Sequence, residues 1–148
     1  MLSLRLEIMK RITIGLGSNM GDRAENLRCA NALIKDRVGQ IVRHSSVIET
    51  ESWGFDSNPF LNQVIVVLTT LSPLQLLDEL QAIERELGRT QKSVIVDGKP
   101  VYHDRPIDLD ILDYDGLVYS DQRLTLPHPK IHEREFVLQS LRELGITI

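Results

Sequence analysis

Two aspartates stand two positions apart in a segment that otherwise has the composition of a β-strand. In "PIDLDIL", residues 106–112, isoleucine and leucine alternate with Asp108 and Asp110. Side chains alternate between the faces of a strand, so both carboxylates point the same way, with Cβ atoms roughly 6.6 Å apart. Oxygen donors with no cysteine nearby favour Mg²⁺ over zinc. The alternative is a solvated strand face that carries edge charges.

Basic residues recur near this strand and near the ends of the predicted helices. Arg105 stands three residues before the first aspartate, where a cation can assist a carboxylate pair in handling metal-bound phosphate. The other candidates are Arg89, Lys92, Arg123 and Arg134, with the hydroxyl of Thr125 close to Arg123. Each one alone is more typical of a solvated surface. Together with the carboxylates they indicate a triphosphate ligand.

A pair of histidines has a spacing that is seen in metal sites. His128 and His132 are four residues apart, as on one face of a helix, but Pro129 lies between them. We therefore do not expect a zinc site. His128 is interpreted as a phosphate or nucleotide contact, with a structural histidine as the alternative.

The few aromatic residues suggest a site for a flat ring. Trp53 is followed by a glycine in a loop, Phe60 stands at a strand start, and Phe136 lies close to Arg134. Core packing is the alternative for both phenylalanines. If the aromatic side chains enclose a ring, the amide of Asn62 offers a donor and an acceptor to the edge of that ring.

A glycine-rich segment, "GLGSNMGD", follows the first predicted strand. Its spacing does not fit the dinucleotide fingerprint, and it lacks the Lys-Ser/Thr ending of a P-loop. We interpret it as a tight turn that positions the next helix. Direct phosphate binding at the helix start is the alternative.

Hydrophobic periodicity and turn residues predict the elements that position these groups. The expected strands cover residues 11–16, 40–50, 61–71 and 106–112, with a return strand at 117–119 after an Asp115-Gly116 turn. The expected helices run from Asp22 to Gly39, from Ser72-Pro73 to Gly88 and over 133–144, and residues 89–103 form a polar loop. The order β-α-β-β-α-β, then a hairpin and a helix, predicts an α+β fold: a ferredoxin-like antiparallel sheet with helices on one face.

Composition limits the classes of protein that this chain can represent. Its 148 residues suit a single domain, and a net charge of −4 argues against a general nucleic-acid binder. The single cysteine, Cys29, gives no sign of an oxidising compartment, and no segment suits a membrane span or a signal peptide. We expect a cytoplasmic protein of one domain, residues 1–148, in which residues 1–10 are an N-terminal extension.

Four segments identify a resemblance to a known family: "IGLGSNMGDR", "FLNQV", "DRPIDLDIL" and "LTLPHPKIHEREFVL". The last two, in this order and spacing, are the most specific. From about Arg11 to the last helix, the chain resembles the 6-hydroxymethyl-7,8-dihydropterin pyrophosphokinases, which are ATP-dependent enzymes of folate biosynthesis. The fold of that family agrees with the predicted ferredoxin-like order.

The resemblance implies a role for each candidate residue. Asp108 and Asp110 would hold two Mg²⁺ ions, and the catalytic residues would be these aspartates with Arg89 and Arg105. The implied contacts to ATP are Glu84, Lys92, Arg105, Arg123, Thr125, His128 and Arg134. The implied contacts to the pterin are Thr50, Trp53, Phe60, Asn62 and Phe136, with the two phenylalanines stacked on the ring. The implied partners are ATP and the pterin. We expect neither a nucleic-acid nor a membrane partner, and we expect a monomer.

The chain departs from the family pattern in three places. Residues 50–54 read Thr-Glu-Ser-Trp-Gly where Thr-Pro-Pro often precedes the glycine, Thr90-Gln91-Lys92 replaces an arginine-rich run, and the loop "SVIVDGKPVYHDR" is long. Two other classes stay open on the residues alone. An Asp-x-Asp pair also occurs in nucleotide-sugar glycosyltransferases, and the fold order also suits a non-catalytic ligand- or RNA-binding module. The product formed from ATP distinguishes these classes: AMP for pyrophosphate transfer, ADP for phosphate transfer, and neither for a binding module.

Overall fold

The computed structural model describes residues 8–51, 58–88, 93–96, 99–102 and 106–148. The strands are β1 (Lys10–Ser18), β2 (Gly39–His44), β3 (Ile48–Thr50), β4 (Phe60–Thr69), β5 (Ser93–Val96), β6 (Lys99–Tyr102), β7 (Asp108–Tyr114), β8 (Tyr119–Ser120) and β9 (Thr125–Leu126). The helices are α1 (Arg23–Arg37), α2 (Pro73–Glu86) and α3 (Glu135–Leu144), with a 3₁₀ turn at Ile131–Glu133.

The main sheet has the expected ferredoxin-like topology. Its order is β2-β4-β1-β7, with β3 also paired to β4, and every pair is antiparallel. Strand β4 is central, as its β-branched sequence predicts, because it pairs with β1 on one side and with β2 and β3 on the other. The α+β, ferredoxin-like prediction is confirmed.

One face of the sheet packs against α1 and α2. Alternate residues of β1 and β4, including Ile12, Ile14 and Ile65, are fully buried in this core. The side chain of Asp22 accepts a hydrogen bond from the Glu25 amide at the start of α1. A reciprocal capping box starts α2 in the same position that Ser72-Pro73 predicts.

The two helices of the ferredoxin-like order, α1 and α2, lie on one face of the sheet as expected, and the added C-terminal helix α3 lies on the opposite face. Val64 and Val66 of β4 pack there with Leu112 of β7 and with apolar residues of α3. These positions alternate along β4 with the residues of the first core, so the strand is apolar on both faces. Helix α3 covers part of this second face, and the candidate site lies beside it.

Five sequence expectations are corrected in the details. The strand expected over 40–50 is divided into β2 and β3, and the expected loop 89–103 contains the β5–β6 hairpin. The return strand expected at 117–119 is β8, which pairs with β9 and not with β7. The last helix begins at Glu135 and not at 133, and a separate 3₁₀ turn precedes it. The turn expected in "GLGSNMGD" starts later, because β1 continues beyond residue 16 through Gly17 to Ser18.

Candidate active site

The site is built on three neighbouring strands whose register brings its residues into rows. Gly17 of β1 lies opposite Asp108 of β7 on one side and opposite Asn62 of β4 on the other. Two residues earlier in β1, and therefore on the same face, Gly15 lies opposite Asp110 of β7. Because paired residues of antiparallel strands share a face, the two carboxylates lie on one side of Gly15 and Gly17 and the amide of Asn62 lies on the other. We call these two glycines the glycine floor.

A cavity of about 490 Å³ opens over this floor. Of the predicted site residues, those that line it are Thr50, Phe60, Asn62, Asp108, Asp110, Arg134 and Phe136. Strands supply the first five, and the start of α3 supplies the last two. The cavity therefore brings together the predicted metal ligands and most of the predicted ring contacts, which are far apart in sequence.

At the acidic end of the cavity, Asp110 lies between two basic groups. Its Oδ2 atom is 3.5 Å from Nη1 of Arg134, and its Oδ1 atom is 4.0 Å from Nε2 of His128. The imidazole Nδ1 accepts a hydrogen bond from the Lys130 amide at 3.0 Å. In the neutral ring the proton is therefore on Nε2, which faces the carboxylate.

The donor set at this end fits a divalent ion that is shared with a substrate. Asp108 and Asp110 offer only carboxylate oxygens, and no group of three or more metal-binding side chains exists among the described residues. Mg²⁺ is commonly held by one or two carboxylates, with phosphate oxygens and water completing its octahedron. The residues present therefore suit Mg²⁺ bound with a phosphorylated substrate, and they do not form a closed structural site.

The opposite end of the cavity is polar but tightly fixed. The amide nitrogen of Asn62, a residue 5% exposed, donates to Oγ1 of Thr50 at 2.8 Å and to the carbonyl of Ile48 at 3.3 Å. Its Oδ1 atom lies 3.3 Å from the point that a Cβ atom on Gly17 would occupy. The amide is therefore anchored to β3, and its oxygen lies at the glycine floor.

Glu84 lies beneath β7 and does not line the cavity. This residue of α2 is 5% exposed, and its Oε2 atom accepts a hydrogen bond at 2.8 Å from the backbone amide of Leu109. Leu109 stands between the two aspartates, so this bond fixes the edge strand that carries them. The ATP contact expected for Glu84 remains a prediction.

Arg123 and Thr125 lie in the β8–β9 hairpin, also outside the cavity lining. The guanidinium of Arg123 bonds to Asp78 of α2 at 2.6 Å. Hydrogen bonds from the Tyr119 hydroxyl and from two backbone amides lower the pKa of Asp121, which organises this turn. The hairpin thus holds Arg123 against α2, and its contact with ATP remains a prediction.

Four of the predicted site residues, Trp53, Arg89, Lys92 and Arg105, lie outside the described residues. Sequence reasoning also missed part of the lining, above all Gly15 and Gly17 and the charged residues Glu51, Lys130, Glu133 and Glu135. A signal for the glycines was present. Two glycines at alternate positions of a strand share a face, as the two aspartates do.

A ferredoxin-like sheet that carries paired carboxylates, basic groups and an aromatic-lined cavity suits an enzyme that transfers phosphorus-containing groups. The family model of 7,8-dihydro-6-hydroxymethylpterin-pyrophosphokinase (HPPK) matches residues 13–145. The chain belongs to this family, as the resemblance in sequence predicts, and it is an ATP-dependent pyrophosphokinase.

Curated relatives agree with this assignment. The chain is 46% identical over 141 residues to a 2-amino-4-hydroxy-6-hydroxymethyldihydropteridine pyrophosphokinase of Porphyromonas gingivalis, with 93% of this chain and 92% of the relative covered. It is 41% identical to the Bacillus subtilis protein of the same name, with 88% and 75% covered.

Solved structures support the fold. The chain superposes on a crystal structure of HPPK-DHPS in complex with substrates with a TM-score of 0.68 at 15% identity, covering 92% of this chain and 40% of that one. The wild-type Plasmodium falciparum HPPK-DHPS gives the same TM-score at 15% identity, covering 92% and 38%. The chain thus spans about 40% of these longer solved chains. Within the described part of the chain, no helix combines the length and the apolar character that a membrane crossing needs.

Proposed function

We propose that the cavity of this pyrophosphokinase holds 6-hydroxymethyl-7,8-dihydropterin while the pyrophosphoryl group of ATP is transferred to it. The hydroxymethyl oxygen attacks the β-phosphorus in line, the new O–P bond forms, and the bond to the bridging oxygen breaks. AMP leaves with that oxygen, and the hydroxyl proton passes to water. The observation that carries this proposal is the register that sets the carboxylates and Asn62 on the two sides of one glycine floor.

The pterin ring is held at the end of the cavity that Asn62 occupies. Phe60 and Phe136 come from the sheet and from α3, and both line the cavity, which suits stacking on the two faces of a ring. The oxygen of Asn62 and the hydroxyl of Thr50 are placed to read the polar edge of the ring. Since the amide nitrogen of Asn62 already donates hydrogen bonds to β3, its oxygen is the atom that accepts a hydrogen bond from a ring N–H group. Trp53 is proposed as a further wall.

Asp108 and Asp110 would hold two Mg²⁺ ions. When bound, these ions neutralise phosphate charge and lower the pKa of the attacking hydroxyl. His128 presents its Nε2 proton toward the same place, so it can donate a hydrogen bond to a phosphate oxygen. Arg134 supplies a guanidinium on the other side of Asp110.

The remaining proposed contacts stabilise the polyphosphate and the rest of the nucleotide. Arg89, Arg105 and Lys92 neutralise the charge that builds on the phosphates in the transition state. Glu84, Arg123 and Thr125 are proposed to contact ATP. We further propose a cytoplasmic monomer of one domain without nucleic-acid or membrane partners. The proposed N-terminal extension, residues 1–10, ends at Lys10, which is the first residue of β1.

The test separates the reaction from the residue roles. The protein is incubated with ATP, Mg²⁺ and the hydroxymethyl dihydropterin, and the nucleotide product is identified. AMP with the pterin diphosphate is expected. ADP, or no turnover of the nucleotide, would contradict the proposed reaction.

Charge-removing variants then test the metal ligands. Asp108→Asn and Asp110→Asn are each expected to lower kcat by about 100-fold or more at saturating Mg²⁺, because charge stabilisation of this kind contributes 10²–10³. Asp113→Asn is the matched control, since Asp113 lies on the same strand and bonds to the amide of Gly116 at 3.3 Å. Near-wild-type turnover in either of the first two variants would refute the metal assignment.

A further inference from the structure

Arg23, at the first position of α1, joins two strands that border the cavity. Its Nη2 atom lies 2.9 Å from Oε2 of Glu49 in β3, and its Nη1 atom donates to the carbonyl of Pro59 at 2.9 Å. Pro59 directly precedes β4. One planar guanidinium therefore bridges the end of β3 and the start of β4, with its two nitrogens engaged separately.

This bridge lies on the far side of the sheet from the cavity. Glu49 is paired with Leu61, and Leu61 packs against the core under α1 and α2. Arg23 and Glu49 are not among the residues that line the cavity. The bridge therefore touches neither the pterin nor the phosphates, and any effect that it has on the reaction acts through other residues.

The residues next to the bridge are the ones that contact the ring. Thr50 follows Glu49 in the chain, and Phe60 follows Pro59. Thr50 and Phe60 form the last pair of the short β3–β4 ladder. Thr50 also anchors the amide of Asn62. The last pair of a three-residue ladder would fray without a further restraint.

A second contact holds the same point. Asn19, which is fully buried in the β1–α1 connection, donates from Nδ2 to the carbonyl of Asn58 at 3.2 Å. The connection that begins α1 thus binds two successive carbonyls ahead of β4, those of Asn58 and Pro59. Arg23 in addition reaches β3, through its ion pair with Glu49.

We propose that Arg23 is a positioning residue for the pterin: by cross-linking Glu49 to the Pro59 carbonyl, it fixes Thr50, Phe60 and Asn62 against each other. The inference rests on the proposed use of the cavity for the pterin. An isolated ion pair at this exposure would contribute little to stability, since the Glu49 side chain is 55% exposed. The role of the bridge is therefore geometric, and it should be visible in substrate affinity more than in melting temperature.

The test compares Arg23→Ala and Arg23→Lys with Arg28→Ala. The lysine variant keeps the charge but has one nitrogen, so it cannot hold both oxygen atoms in the same way. The control removes a guanidinium from the same helix, where Arg28 pairs with Glu25 on an exposed surface. For both Arg23 variants, the KM for the pterin is expected to rise about tenfold, because a small misplacement of binding groups can cost up to about 100-fold. The KM for ATP should stay within about twofold, and the control should leave both values unchanged.

Two further measurements isolate the bridge itself. Amide hydrogen exchange in residues 48–50 and 60–62 should be faster in Arg23→Ala than in the wild type and the control. Glu49→Gln should raise the KM for the pterin less than Arg23→Ala, and Arg23→Ala made in that background should have a smaller effect than it has alone.

Specific outcomes would overturn the proposal. An unchanged KM for the pterin in both Arg23 variants would refute it, and so would an equal rise of the KM values for pterin and ATP. A lower melting temperature with unaltered substrate constants would show a purely structural role and would also refute it. If the wild type forms no AMP, the proposed function fails, and the exchange comparison still decides whether Arg23 holds this edge.

Discussion

Replacing Gly17 with alanine tests the glycine floor directly. A Cβ atom at this position would lie 3.3 Å from Oδ1 of Asn62 and 3.4 Å from Cδ1 of Phe60. The first contact is closer than an ordinary van der Waals distance, so a neighbour has to move by a few tenths of an ångström. Asn62 cannot move freely, because its amide nitrogen is bonded to Thr50 and Ile48. The substitution therefore displaces the group proposed to read the pterin, or breaks its anchor.

The size of the effect follows from the hydrogen bonds at risk. Losing or distorting one or two of them costs about 1–3 kcal/mol, which corresponds to a rise of about 5–150-fold in the Kd for the pterin. The free energy of unfolding, by contrast, should rise slightly or stay nearly unchanged. Alanine in a strand is favoured over glycine by about 0.5–1 kcal/mol, which offsets the local crowding.

The assay is pterin binding measured by fluorescence, together with the KM for ATP and a urea denaturation curve. Gly15→Ala is the matched control, because the nearest atom to its Cβ atom would be Cδ1 of Leu112, at 3.5 Å. We expect Gly15→Ala to change the Kd for the pterin by less than about threefold, since that distance is an ordinary contact. The reasoning is refuted if Gly17→Ala binds the pterin as the wild type does, or if both variants lose the same affinity.

Two more predictions concern α3. Phe136→Ala should raise the Kd for the pterin about tenfold, because stacking on an aromatic ring contributes about 1 kcal/mol beyond its buried area. ATP binding should stay nearly unchanged. Equal losses of affinity for both ligands, measured by titration calorimetry, would instead indicate a packing role. The hydroxyl of Ser140 is buried and has no hydrogen-bond partner among the described residues. Ser140→Ala should therefore raise the free energy of unfolding by about 1 kcal/mol in urea, and a loss of stability would contradict this account.

The sequence correctly predicted the caps and turns that depend only on residues close together in the chain. The Asp22 cap, the Ser72-Pro73 start of α2 and the Asp115-Gly116 turn are all present where expected. The alternation around Asp108 and Asp110 correctly placed both carboxylates on one face, because that inference needs only the strand geometry. The cavity lining bears out that placement.

Features that depend on pairing between distant strands could not be predicted in this way. Gly15 falls in the predicted first strand and Gly17 in the predicted turn, and only the register with β4 and β7 shows that they form one floor. The strand after the Asp115-Gly116 turn pairs with β9, and the amide of Leu109 in β7 is bonded to Glu84. Nothing in the local sequence specifies either partner.

The β5–β6 hairpin is a different case, because a local signal for it was present. Asp97-Gly98 stands between two short runs that favour strands, and an Asp-Gly pair in this position is a strong hairpin signal. The polar residues around the runs directed the interpretation toward a loop instead.

Because α3 lies across the second face of the sheet, the walls of the cavity come from two separately packed layers, the sheet and the helix. Phe60 belongs to the sheet, whereas Phe136 belongs to a helix held by Val137, Leu141 and Leu144 against Val64. A flat ligand bound between the two phenylalanines would act as a non-covalent cross-link between those layers. Ligand binding would then stabilise the packing of α3 on the sheet. Small changes in the core beneath the helix would alter the distance between the two phenylalanines without touching the ligand.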